Sequence, residues 1–191
     1  DPARWFHQVA WTPTPLPDPS PDADQGVVLV LGDAGSAADD VAGALAAPGR
    51  SVLRVHAGNA FAQDAEGSYV VRPGSLEDWT ALLRSLAADG RLPGIVVHAW
   101  CLDPDAPSDT DRAFFAPLFF LQALEEVSAG HALRFVAVSA GALGLPGDTA
   151  LDAHRALLQG PMRVAPKELP AQRGDVHQLF SGQDRSLSGA A

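Results

Sequence analysis

From Gln25 onward the chain alternates continuous apolar runs with amphipathic stretches. "GVVLVLGD" is apolar without alternation and closes on glycine, the pattern of a strand buried on both faces of a parallel sheet. Ser36 to Ala47 follows as a helix with Val41, Ala44 and Leu45 inward, and "SVLRVHAG" is the next strand, which completes one βαβ unit. "GSYVV" predicts a short strand around Tyr69. "SLEDWTALLRSLAADG" opens with Ser75 and Asp78 in capping-box spacing, sets Leu76, Trp79, Leu82, Leu83 and Leu86 along one helical face, and ends at Gly90.

"GIVVHAW" is a further buried strand. "DTDRAFFAPLFFLQALEEVSAG" is a long helix in which Pro117 either kinks the helix or marks the start of its regular part, and "LRFVAV" returns as a strand. Strands alternating with helices argue for a parallel sheet with helices on both faces and right-handed crossovers, a truncated Rossmann-like α/β fold. Ahead of this body, "RWFHQVAW" places Trp5, His7 and Val9 opposite Phe6, Gln8 and Ala10, which predicts a short strand ending at Trp11. Prolines at 13, 15, 17, 19 and 21 then make an extended connector. The expected organisation is an N-terminal strand over 1–11, a Pro-rich linker over 12–25, the Rossmann-like unit over 26–180 and a tail over 181–191.

Composition removes several function classes. The 191 residues, 47% hydrophobic, suit one domain with a single core. A formal charge of -10, with no Lys/Arg cluster, argues against nucleic acid as a partner. One cysteine, Cys101, excludes an internal disulfide, and the dispersed histidines offer no metal-ligand spacing; His98 and Cys101 are the only close pair and are expected at the core edge. No apolar run is long enough to span a membrane and no signal-peptide pattern is present, so a cytoplasmic location is expected. A chain that opens on Asp1 and has Met162 as its one methionine looks like a segment of a longer polypeptide.

The candidate chemistry sits at two turns. "LGDAGSAADD" supplies Gly32 and Gly35 for a nucleotide-binding first turn, but Ala38 stands at the third glycine position, and Asp33, Asp39 and Asp40 would repel a diphosphate there. A plain tight turn is the expectation. "VSAGALGLPGDTALDAHRALL" has the layout of a short-chain reductase corner, in which a strand delivers a serine and the next helix presents a tyrosine and, four residues later, a lysine or asparagine. Here those helix positions hold Leu151 and Arg155, and the only tyrosine, Tyr69, lies far upstream as a buried structural residue. Ser139 remains, and it can orient but not complete that chemistry. "AVSAG" also approaches the G-x-S-x-G elbow of α/β-hydrolases, with Asp148, Asp152, His154, Asp175 and His177 downstream, although His154 comes too soon for a triad on that fold. The pairs Asp39, Asp40 and Glu125, Glu126 point about 100° apart on their helices and are solvated faces. No catalytic, cofactor-binding or metal-ligating residue and no cofactor is therefore expected.

The opening "RWFHQVAWTPTPLP", the "FFAPLFFLQAL" helix, the degenerate "VSAGALGLPGD" corner and the C-terminal "LLQGPMRVAPKELPAQRGDVHQLF" together resemble the structural subdomain of the ketoreductase region in a type I polyketide synthase. Gly160, Pro161, Arg163, Val164, Pro166, Glu168 and Pro170 match that family's pattern, followed by the short strand "DVHQLF". The resemblance implies a non-catalytic, reductase-like pseudo-domain that packs against a catalytic ketoreductase half or against a neighbouring dehydratase or methyltransferase. The alternatives are an NADPH-dependent β-ketoacyl reductase when joined to its catalytic half, and a serine hydrolase using Ser139. A packing role needs exposed apolar surface, expected at Trp5 and Trp11 and at the surplus of Phe114, Phe115, Phe119 and Phe120.

Overall fold

The computed structural model describes residues 26–64, 67–103, 109–142, 151–169 and 171–178. Seven strands form one sheet, in the order β3-β4-β2-β1-β5-β6-β7. They are β1 (Gly26–Leu31), β2 (Arg50–Ala57), β3 (Ala62–Gln63), β4 (Tyr69–Val71), β5 (Ile95–Cys101), β6 (Leu133–Ser139) and β7 (Gln172–Gln178). All pairings are parallel except the short antiparallel β3 on β4. From β1 the chain builds outward through β2 and β4, then crosses to β5 on the other side of β1. The β1/β5 boundary is thus the topological switch point, where open α/β sheets place their ligands.

Helix α1 (Ala37–Leu45) covers one face, and α2 (Leu76–Ala88), α3 (Ala116–Val127) and α5 (Gln159–Glu168) supply the core on the other. A one-turn helix, α4 (Ala153–Ala156), precedes α5. The larger core centres on Trp79, which meets Trp100 and Phe120 edge-on at 6.1 and 5.7 Å and donates its indole N–H to the Pro73 carbonyl at 2.9 Å. On the α1 face Ala38 and Ala42 are buried against Val28, Val30 and Val97. Ala44, expected inward, is exposed instead, because the sheet-facing stripe of this short helix runs through Ala38 and Ala42.

Helix α2 forms as its spacing predicts, with Trp79, Leu82, Leu83 and Leu86 fully buried, while Leu76 at its first position is 38% exposed. Ser75 Oγ accepts from the Asp78 amide at 3.3 Å, but the Asp78 carboxylate does not close the box on Ser75. It accepts from the Arg72 amide at 2.8 Å and from the Arg72 guanidinium at 3.0 and 2.6 Å, tying the end of β4 to the helix start. The long helix divides at Pro117, as the sequence suggested: Asp111–Phe115 is a π-helical turn and the regular helix begins at Ala116. The predicted strand over 1–11, the linker over 12–25, residues 179–180 of the expected Rossmann-like unit and the tail over 181–191 lie outside the described residues.

Candidate functional site

The carboxyl ends of β1 and β5 are the place to look for chemistry. Gly32 leaves β1 where only glycine fits, since a Cβ there would lie 2.0 Å from the Ala38 Cβ. Asp33 follows, and its side chain turns into the crevice. Its Oδ1 accepts from the Ala57 amide at the end of β2, at 3.0 Å, and from the Trp100 indole N–H on β5, at 3.2 Å; its Oδ2 meets the Arg112 guanidinium at 3.4 Å. One carboxylate therefore bridges the ends of β1, β2 and β5 across the switch point. The sequence suggested only that Asp33 would repel a phosphate; the structure adds that it is bonded across the crevice. Trp100 and Arg112 are sequence-distant partners that no local pattern announces.

The adjoining helix N-terminus is likewise satisfied from within. Gly35, at φ +75, turns the chain into α1, and its amide donates to Asp39 Oδ2 at 2.8 Å. Asp39 Oδ1 in turn pairs with Arg54 of β2 at 2.6 Å, Ser36 Oγ caps the Ala38 amide at 3.2 Å, and His56 Nδ1 meets the Gly32 carbonyl at 2.7 Å. Two backbone donors at this helix start, the amides of Gly35 and Ala38, are thus taken by side chains of the same segment. A nicotinamide dinucleotide seated on this turn would have to displace the Asp33 and Asp39 bonds and then lie against two carboxylates.

The reductase-like corner is also rebuilt. Ser139 ends β6 with 1% exposure, and among the described residues its Oγ has no hydrogen-bond partner, unlike the capping serine usual at such a place. Leu151 stands 64% exposed where the scaffold would hold its phenol. Arg155, four residues on, is 4% exposed and acts as a staple: its guanidinium donates to the Ala140 carbonyl at 3.1 Å and the Asp103 carbonyl at 2.7 Å and pairs with Asp152 at 3.3 Å. It joins the loops after β5 and β6 to the start of α4, a structural tie in the place where the scaffold would hold its second catalytic residue. Tyr69 is buried on β4, four strand positions from β6 and therefore roughly 19 Å across the sheet.

The hydrolase reading meets a matching obstacle. Among the described residues Ser139 is buried without a base, and His154 is exposed on α4 with its backbone amide bonded to Asp152. Asp148 lies outside the described residues, and of the side chains of Asp175 and His177 on β7 nothing is described. Cys101 is 3% exposed, and burial pushes its thiol up to about 12. His98 is fully buried at the core edge, as expected. Among the described residues no group of three His, Cys, Asp or Glu side chains is placed to hold a metal, and no helix is long and apolar enough to cross a membrane.

The four phenylalanines are less exposed than the sequence suggested. Phe120 is fully buried, while Phe114, Phe115 and Phe119 are half-buried in a chain of rings with centroids 5.3 and 5.2 Å apart, so they cover one another. The large apolar side chains that do reach solvent, among the described residues, are Leu76, Leu151, Leu157 and Val164, three of them on the segment of α4 and α5.

Residues 26–113 match a family described as β-ketoacyl synthase-like, N-terminal. The fold is similar to that of solved structures that contain ketoreductases and short-chain dehydrogenases. A multidomain structure containing the adenylation, ketoreductase and pseudo-Asub parts of a keto acid-selecting nonribosomal peptide synthetase module is 21% identical, with a TM-score of 0.78 over 93% of this chain. An N-terminal ketoreductase from the macrolactin assembly line is 15% identical over 82% of the chain, with a TM-score of 0.65. The chain spans 15% and 32% of the lengths of those two proteins. A Brucella ovis short-chain dehydrogenase/reductase solved with a partially ordered NAD is 14% identical, with a TM-score of 0.59 over 81% of this chain and 82% of its own. No curated protein sequence matches.

Proposed function

We propose that this chain is the non-catalytic structural subdomain of a ketoreductase region in a polyketide-type assembly line, a reductase fold kept for packing. The observation that carries the proposal is the Asp33 carboxylate bridging Ala57, Trp100 and Arg112 across the switch-point crevice, where a reductase keeps space and bare amides for its cofactor. The exposed Leu151 and the stapled Arg155 support the same reading, because ketone reduction needs a proton donor at the developing alkoxide. The partners proposed are domains of the same synthase: a catalytic ketoreductase half, a dehydratase or a methyltransferase. Where a catalytic half is joined to it, that half carries the NADPH-dependent reduction and this one holds its fold.

The test is turnover. Purified chain supplied with NADPH and a β-ketoacyl thioester consumes no more NADPH than buffer does, while the same chain, added to a ketoreductase catalytic half that is unstable alone, raises that half's melting temperature. Reduction by the chain alone would refute the proposal.

A further inference from the structure

Helices α3 and α5 lie side by side on the outer face of the larger core and leave a groove of about 410 Å³ between them. Leu118 and Leu121 of α3 and Val164 and Leu169 on the α5 side give it apolar walls, and Val164 remains 46% exposed. Leu157, 40% exposed in the turn between α4 and α5, is a further exposed apolar side chain on the same segment. An exposed apolar groove of this kind calls for cover.

Among the described residues, Glu125, Glu126 and Glu168 are the charged side chains that line the groove. Glu126 is held by Arg84 of α2 at 2.8 Å. Among the described residues no ion pair engages Glu125 or Glu168. Arg163 and Lys167 are exposed on α5 next to the groove residues, Lys167 three positions from Val164, but neither is among the residues that line it. A second copy of the chain would bring the same acidic rim and a net charge of -10 to the contact, so like charges would oppose its docking.

We infer that the α3/α5 groove is the seat of an amphipathic helix from another protein or domain, one that inserts an apolar ridge between the two helices and flanks it with lysine or arginine. The twelve residues of α3 give a trough about 18 Å long, enough for apolar anchors at i, i+3 or i+4, and i+7. Glu125 and Glu168 then pair with the flanking cations and fix the direction of the bound helix. The inference deepens the packing role above by giving the neighbour's chemistry, and rests on that role only in supposing that a neighbour exists.

The experiment uses two synthetic helical peptides with the same leucine ridge, one flanked by lysines and one by glutamates, each titrated with the chain by fluorescence anisotropy. The lysine peptide binds at least about tenfold more tightly than the glutamate peptide, and its affinity falls with added salt. Val164→Asp abolishes this binding, and Leu76→Asp, which alters an exposed leucine on α2, does not. The double variant Glu125→Lys, Glu168→Lys reverses the preference between the peptides. Equal binding of both peptides, binding of neither, or an unchanged preference in the double variant overturns the inference. So does self-association in sedimentation that Val164→Asp removes, since a second copy is then the occupant. None of these outcomes alters the turnover test, so the two readings fail separately.

Discussion

His98 Nε2 donates to the carbonyl of Arg112 at 2.8 Å, in the place of an N–H that the helix lacks. In the π-helical turn the Ala116 amide bonds back five residues to Asp111, and the same pattern would direct residue 117 to Arg112. Residue 117 is proline and has no N–H, so the β5 imidazole supplies the donor. This fixes the tautomer: the proton is on Nε2 and Nδ1 is bare.

Burial pushes the His98 pKa from its ordinary 6.5 down to about 4, with the bond to Arg112 opposing. Between those values the unfolded chain binds a proton that the folded chain refuses. Stability is therefore unaffected by this group above 6.5 and falls as the pH drops from there to about 4, by about 3 kcal/mol in all. Urea unfolding across that interval is expected to show the slope, and His98→Gln to flatten it. An unchanged slope in the variant would assign the acid loss elsewhere.

Asp78 titrates in a separate window. The Arg72 hydrogen bond, ahead of the opposing desolvation, holds its carboxyl below the ordinary 3.8, so its contribution is complete above 3.8 and is lost as the pH falls through the folded value. Arg72→Ala is expected to destabilise the fold at neutral pH, because the buried carboxylate loses its charged donors. Denaturation at neutral and at strongly acidic pH checks this, since the difference from wild type should shrink in acid.

Two glycines of the α1 unit should respond oppositely to alanine. Gly32→Ala forces a Cβ onto Ala38 and is expected to cost about 3 kcal/mol or more. Gly43, exposed within α1 with open space around it, should gain about 0.5–1 kcal/mol as alanine. Thermal melts of the two variants, moving in opposite directions, are the measurement.

Cys101 is expected to resist thiol reagents in the folded protein, since it is 3% exposed and its thiol lies at about 12. Labelling by an aromatic disulfide should follow unfolding in denaturant; rapid labelling without denaturant would mean that the end of β5 opens.

The buried strands were legible because a strand covered on both faces must be apolar throughout, as in Val27 to Leu31, and α2 was legible from the Ser75 cap and its leucine spacing. The two-residue β3 was not, since Ala62 and Gln63 are both exposed and carry no pattern. Leu151 in place of the phenol could be read directly, but the role of Arg155 could not: its acceptors are backbone carbonyls at Asp103 and Ala140. The Asp33 bridge depends on Ala57 and Trp100, 24 and 67 residues away, so the sequence could give its charge but not its contacts. The phenylalanine surplus was overread, because stacked rings shield one another in a way that counting does not capture.

The central claim is that the crevice between β1 and β5 is closed by Asp33. Amide chemical shifts of the folded chain, followed during NADPH titration to millimolar concentration, test it most directly. The expected result is no saturable movement at Gly32, Asp33, Gly35 or Ala57. Saturable shifts clustered on those amides would contradict it, because they would place a dinucleotide where the Asp33 carboxylate is bound.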